Sequence, residues 1–156
     1  MGVRRRIFEV LDRVLEGLVA AIYGLSIAVM FVQVVLRYIL NSPFTWAEEV
    51  SRYCFIWVVY LGAAIASKRA AHIEVDYLAP FMSSRLQSRI RIIFMCGSTV
   101  FLLLVCVKGI ELAKNFLTAS SYTIEWLPQG LVYAAIPLGA LLMVFNMWRV
   151  YLGKQR

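Results

Sequence analysis

The chain has 156 residues, of which 62% are hydrophobic, with a formal net charge of +7 and a mean hydropathy of +0.75. Its charged residues crowd into short stretches between long apolar ones, the composition of an integral membrane protein, and no soluble domain remains once the apolar spans are set aside. The Lys and Arg flank these spans and form no aromatic-interleaved basic face, which excludes nucleic acid as the partner of the positive charge.

Arg4, Arg5, Arg6 and Arg13 precede the first apolar run. Arg5-Arg6-Ile7-Phe8 resembles a twin-arginine targeting pattern, but Gly17 to Leu36 is 20 uncharged residues, the length of a full span, and no small-x-small cleavage site follows. An uncleaved first helix is expected over about residues 17–37, with Glu9 to Glu16 as a short amphipathic lead-in at the cytoplasmic interface.

The next run raises a problem of length. Only 15 residues lie between Arg52 and Lys68, and they cover about 22 Å of a hydrocarbon core roughly 30 Å thick. The helix must start earlier, near Thr45, so a second span is expected over residues 45–67. Glu48, Glu49 and Arg52 are then carried to the membrane edge or into it, where ionised groups need partners. Glu48 and Glu49 stand four and three residues before Arg52, within reach along one helical face, and Arg37 can approach from the first span. Two acids facing two arginines neutralise locally, which favours a structural network over a proton-relay carboxylate. Trp46, Tyr53 and Trp57 fit interface-belt and packing aromatics.

The connection Lys68 to Tyr77 carries the single histidine, His72, beside Glu74 and Asp76. A loop contact or a cap for the following helix is its expected role, and Ser83-Ser84 is a suitable helix start. A third span is expected at 90–113, with Lys108, Glu111 and Lys114 at helical spacing near its end. The fourth, at 126–148, opens with Pro128 in its first turn and should kink at Pro137. Cys54, Cys96 and Cys106 have no C-x-x-C spacing, and one histidine makes neither a bis-histidine haem site nor a metal set. No nucleophile has a base placed to activate it, so no enzyme, metal or cofactor is expected.

Orientation follows from the basic residues. Arg4, Arg5, Arg6, Arg13, Lys68, Arg69, Arg85, Arg89, Arg91, Arg149, Lys154 and Arg156 fall on one side, against Arg37, Arg52, Lys108 and Lys114 on the other. Because Lys and Arg are retained in the cytoplasm, both termini are expected there, and the connections 38–44 and 115–125 face outward. The expected fold is thus all-α, one domain over residues 1–156 with four transmembrane helices, both termini cytoplasmic, and short amphipathic interfacial segments.

The stretch Leu36-Arg37-Tyr38, Trp46-Ala47-Glu48-Glu49-Val50-Ser51-Arg52-Tyr53, Ile56-Trp57, Leu61-Gly62-Ala63 and His72-Ile73-Glu74-Val75-Asp76 resembles the small membrane subunit, DctQ type, of tripartite ATP-independent periplasmic (TRAP) transporters. Leu127-Pro128 and Tyr133 to Gly139 are similar to the last helix of that family. The resemblance implies a small permease in the bacterial inner membrane that scaffolds a large, DctM-type permease for sodium-coupled uptake of an organic anion such as a C4-dicarboxylate or sialic acid. A periplasmic binding protein delivers the anion in such systems, and the remaining contacts are with membrane lipids. Arg37, Trp46, Glu48, Glu49, Arg52, Tyr53, Trp57 and His72 are the candidate interface or structural residues. The alternative is an autonomous four-helix exporter acting as a dimer, with Glu48 or Glu49 coupling to protons; the absence of a deep carboxylate from Gly17 to Leu36 weighs against it.

Overall fold

The computed structural model describes residues 2–39, 45–76, 83–121, 123–124 and 127–154. These form five helices: α1 (Gly2–Ile39), α2 (Thr45–Asp76), α3 (Ser84–Asn115), α4 (Gln129–Tyr133) and α5 (Ala135–Lys154). Four segments are long and apolar enough to cross a membrane: Val10–Ile39, Trp46–Lys68, Leu86–Asn115 and Gln129–Leu152, the last running through α4 and α5. Among the described residues the only β pairing is an isolated bridge between Ser120 and Pro128. The protein is all-α.

The helices outrun the apolar runs that announced them. The lead-in before Gly17 is continuous with α1, and α2 carries on past Lys68 through the segment expected to be a loop. Hydropathy marks where the hydrocarbon ends, whereas Lys68-Arg69-Ala70-Ala71 are strong helix formers that keep the backbone bonded beyond it. α3 does begin at Ser84, with Gln87 N–H donating to Ser83 C=O at 3.0 Å, although the Ser83 hydroxyl makes no cap bond. The fourth span breaks at Ala134, a turn ahead of the expected kink site. Pro137 has no N–H to offer the carbonyl four residues back, so the ladder fails at Tyr133 and the disturbance lies before the proline.

α2 and α5 form the centre of the bundle, α1 packs on α2, and α3 packs on α5 and α4. From Asp12 to Val29 the half-buried residues of α1 are Asp12, Leu15, Val19, Ile22, Ser26 and Val29, a three-four spacing that makes one seam against α2. The central contact is built from small residues: Ala64, Ala135 and Ala140 are fully buried. At Gly139 a Cβ would lie 2.7 Å from the Tyr60 Cβ and 2.9 Å from its carbonyl oxygen, so this crossing admits only glycine. Asn146 donates to the Ala64 carbonyl at 2.7 Å, a buried polar tie between α5 and α2. Large apolar side chains instead point outward along α1 and α3, among them Phe31, Ile93, Phe94 and Phe101. In a bilayer that is the expected distribution, because lipid tails solvate such groups as well as a core does.

Candidate functional site

Glu48 and Glu49 are neighbours on α2, so their side chains leave the helix about 100° apart and cannot share a face. Glu48 points outward. Its Oε1 accepts from Arg52 Nη2 at 3.2 Å, and both side chains are 67% exposed. Glu49 turns inward and is 8% exposed.

What meets Glu49 is the connection between α3 and α4. That segment folds back on itself: Gly130 N–H donates to Phe116 C=O at 2.9 Å, Gln129 N–H to Ala119 C=O at 3.0 Å, and Ser121 N–H to Leu127 C=O at 3.1 Å. Gly130 is needed for this closure, because a Cβ there would sit 2.6 Å from the Ala113 carbonyl oxygen. The Phe116 and Tyr133 rings, 5.2 Å apart, close the base of the loop. Ser121 and Thr123 are thereby presented to α2.

Among the described residues, four donors converge on the Glu49 carboxylate. Tyr53 Oη and Ser121 Oγ donate to Oε1, while Thr123 donates to Oε2 through its Oγ1 and, at 2.9 Å, through its backbone N–H. Tyr53 Oη and Ser121 Oγ also lie 2.7 Å apart. Hydrogen bonds to a carboxylate are among the stronger kind, and buried ones fix geometry as well as adding energy. The arrangement is a latch between the start of the second span and the loop joining the third and fourth.

The expected four-membered network of Glu48, Glu49, Arg37 and Arg52 does not form among the described residues. Arg52 is committed to Glu48 on the outer face, and Arg37, exposed at the end of α1, makes no ion pair there. The spacing rule identified the partners within one helix, but not which acid faces the bundle. Tyr53 is half-buried in the latch, Trp57 is half-buried on α2, and Trp46 lines an apolar groove of about 180 Å³ with Ala28, Val32 and Leu36 of α1. His72 falls in the last turns of α2, and its side chain lies outside the described part of the structure.

A second cluster, not anticipated from the sequence, sits at the opposite end. Asp12 of α1 accepts from both guanidinium nitrogens of Arg149 on α5, at 3.1 and 2.8 Å, and Lys68 Nζ at the end of the second span lies 2.8 Å from Asp12 Oδ1. The Arg149 contact is bidentate, and the Lys68 ammonium makes a close ion pair with the same carboxylate. One signal for this site was present: Asp12 lies on the three-four seam of α1. Its partners, one of them 137 residues away, could not be read from spacing.

Together the clusters fix the threading of the bundle. Asp12, Lys68 and Arg149 bring the starts and ends of the chain's spans to one end, and Glu49, Ser121 and Thr123 mark the other. Among the described residues no group of three or more His, Cys, Asp or Glu is placed to hold a metal ion.

Residues 26–154 match the family model described as "Tripartite ATP-independent periplasmic transporters, DctQ component". The chain is similar to a putative TRAP transporter small permease protein of Haemophilus influenzae, 31% identical over 143 residues, covering 89% of this chain and 86% of the relative. It is 26% identical over 176 residues to the C4-dicarboxylate TRAP transporter small permease protein DctQ of Vibrio cholerae, covering 96% of this chain and 76% of that protein. A third relative is the sialic acid TRAP transporter permease protein SiaT of Haemophilus influenzae, 28% identical over 130 residues, covering 81% of this chain but 20% of that protein. With its family match running through α2, the latch loop and α5, the chain belongs to the DctQ component family of the tripartite ATP-independent periplasmic transporters.

Proposed function

We propose that this chain is the small permease of a TRAP system that takes up an organic anion, serving as a fixed scaffold for a large membrane permease. As a DctQ component it is a multi-pass subunit of a transporter and not an enzyme. One observation carries the subunit reading: a similar stretch makes up 20% of a relative named as a sialic acid TRAP transporter permease. The stretch similar to this chain is there one part of a larger permease polypeptide. The two polar clusters support the scaffold role, since both are spent on holding helices and a loop together. The anion is a C4-dicarboxylate, a sialic acid or a similar acid, as in the names of the relatives, with sodium as the coupling ion and a periplasmic binding protein as the third component. The membrane is the bacterial inner membrane.

Uptake tests this reading. Reconstituted alone, the chain is expected to give no sodium-driven accumulation of a C4-dicarboxylate or sialic acid, and accumulation should appear when the large permease and loaded binding protein are added. Robust accumulation by this chain alone would reject the scaffold role.

Both termini and the Asp12 cluster are proposed to be cytoplasmic, on the twelve-to-four division of basic residues. Ser121 is a poor reporter because it is buried in the latch; Thr118 and Ser83 are exposed. With Cys54, Cys96 and Cys106 replaced, a membrane-impermeant thiol reagent applied to whole cells is expected to label Thr118→Cys and spare Ser83→Cys. The reverse pattern would invert the topology.

A further inference from the structure

We propose that the groove between α3 and α5 at Lys108 and Glu111 binds one phospholipid with a zwitterionic, primary-amine headgroup, phosphatidylethanolamine, held deeper in the membrane than its neighbours. The inference rests on the membrane-spanning fold and is independent of the transport role.

The depth of the two charges carries it. On α2 the latch residue Glu49 and Lys68 of the Asp12 cluster are 19 residues apart, about 28 Å at the helical rise and close to the roughly 30 Å of a hydrocarbon core. Helix contacts carry that scale across to α3. Gly139 of α5 lies against Tyr60 of α2, and Gly109 of α3 lies against Ile136 and Pro137 of α5. Lys108 therefore stands about level with Val58 of α2, midway between the two polar clusters. Glu111 is one turn nearer the latch end, and Asn115, where α3 stops, a further turn.

Neither charge turns into the bundle. Lys108 donates to Glu111 at 2.8 Å, and the side chains are 77% and 57% exposed. Beside them lies a groove of about 480 Å³, lined by the apolar Val105, Leu112 and Ile136 and the polar Lys108, Glu111 and Asn115. Lipid tails do not solvate an ion pair at this depth, where ionisable groups otherwise face a bundle interior or water. Arg13 and Glu16 repeat the spacing on α1, but they flank Asp12 at the end of the bundle, within reach of the interface.

The pair is neutral as a unit and offers both signs. After its bond to Glu111 the Lys108 ammonium keeps two N–H donors, and the carboxylate keeps free lone pairs. A zwitterionic headgroup meets both, its phosphate at Lys108 and its ammonium at Glu111. Phosphatidylglycerol would add an uncompensated negative charge, and the quaternary ammonium of phosphatidylcholine has no N–H to donate. Lys108, Glu111 and Asn115 climb at three-four spacing from mid-membrane to the latch end, which gives the headgroup a polar path from the interface. The apolar lining takes the acyl chain below it.

The chain is reconstituted in bilayers of equal parts phosphatidylethanolamine, phosphatidylglycerol and phosphatidylcholine, then released for native mass spectrometry. One retained phosphatidylethanolamine per chain is expected, favoured about fivefold or more over either competitor. Lys108→Leu combined with Glu111→Leu should lower that retention about tenfold at unchanged helicity, whereas Arg13→Leu with Glu16→Leu should change it less than about twofold. Lys108→Arg keeps the charge and the donors and should keep the lipid. A phosphatidylethanolamine with a photoreactive acyl chain should label the segment Val105 to Asn115. Equal retention of the three lipids, retention unchanged in the double leucine variant, or loss in Lys108→Arg as complete as in that variant would overturn the proposal. Labelling abolished by a bound protein partner would assign the groove to a protein face and overturn it as well.

Discussion

Replacing Glu49 with alanine is expected to lower the unfolding free energy of the purified chain by about 3 kcal/mol, because buried donors left without an acceptor cost on the order of 1–3 kcal/mol each and some can re-pair. The hydroxyls of Tyr53 and Ser121 already lie 2.7 Å apart and can satisfy one another. The Thr123 N–H has no such recourse among its described partners, because its hydrogen bond goes to Glu49. Glu48→Gln should behave quite differently. Its ion pair with Arg52 is two-thirds exposed on both sides, so the loss should stay within about 1 kcal/mol. Chemical unfolding in detergent, followed by circular dichroism, separates the two variants. Similar losses for both would mean that the two acids share one network after all, and would undo the division of labour between adjacent residues.

At the other end, Asp12→Ala is expected to be as damaging. It leaves Lys68 and Arg149, 16% and 28% exposed, gathered around a vanished carboxylate. Breaking a buried pair by removing one partner costs about 3–5 kcal/mol when the site is dry, and the partial exposure here brings the expectation to about 2–3 kcal/mol. Because the three groups form one unit, their losses should not add: Asp12→Ala combined with Lys68→Met is expected to be milder than the sum of the single changes by about 1 kcal/mol or more. Additive losses in the same unfolding assay would show that Lys68 and Asp12 are neighbours without coupling.

The spans were legible because a bilayer imposes one length and one polarity on whatever crosses it. The apolar run Gly17 to Leu36 and the need for the second helix to begin near Thr45 follow from that constraint, whereas the start of the third helix at Ser84, six residues ahead of its expected span, was read from the residue types that favour a helix start. Less legible were the boundaries on the polar side, where helix propensity acts without hydropathy to announce it, as in the continuation of α2 beyond Lys68. The candidate site was half readable. Spacing joined Glu48 to Arg52, and the aromatic beside Glu49 was noticed, but Tyr53 was read as packing and turned out to donate to the carboxylate. Periodicity reports which residues share a helix face and is silent about which face turns inward. The partners that decide this for Glu49, Ser121 and Thr123, lie 72 and 74 positions away in a loop whose fold depends on Gly130. Asp12 posed the same difficulty over a greater distance.

The way α2 is enclosed also sets an order on how the protein can be made. Emerging from the ribosome, α1 and α2 can pair at once as a helical hairpin, and Asp12 meets Lys68 within it. The donors on Ser121 and Thr123 arrive only after α3 has been threaded, and Arg149 comes last of all, near the end of the final helix. Each polar cluster therefore closes in a later step of biogenesis than the one that places its acid in the membrane. A chain stalled before its last span would hold Asp12 and Lys68 in place but lack Arg149, the bidentate partner that completes the cluster.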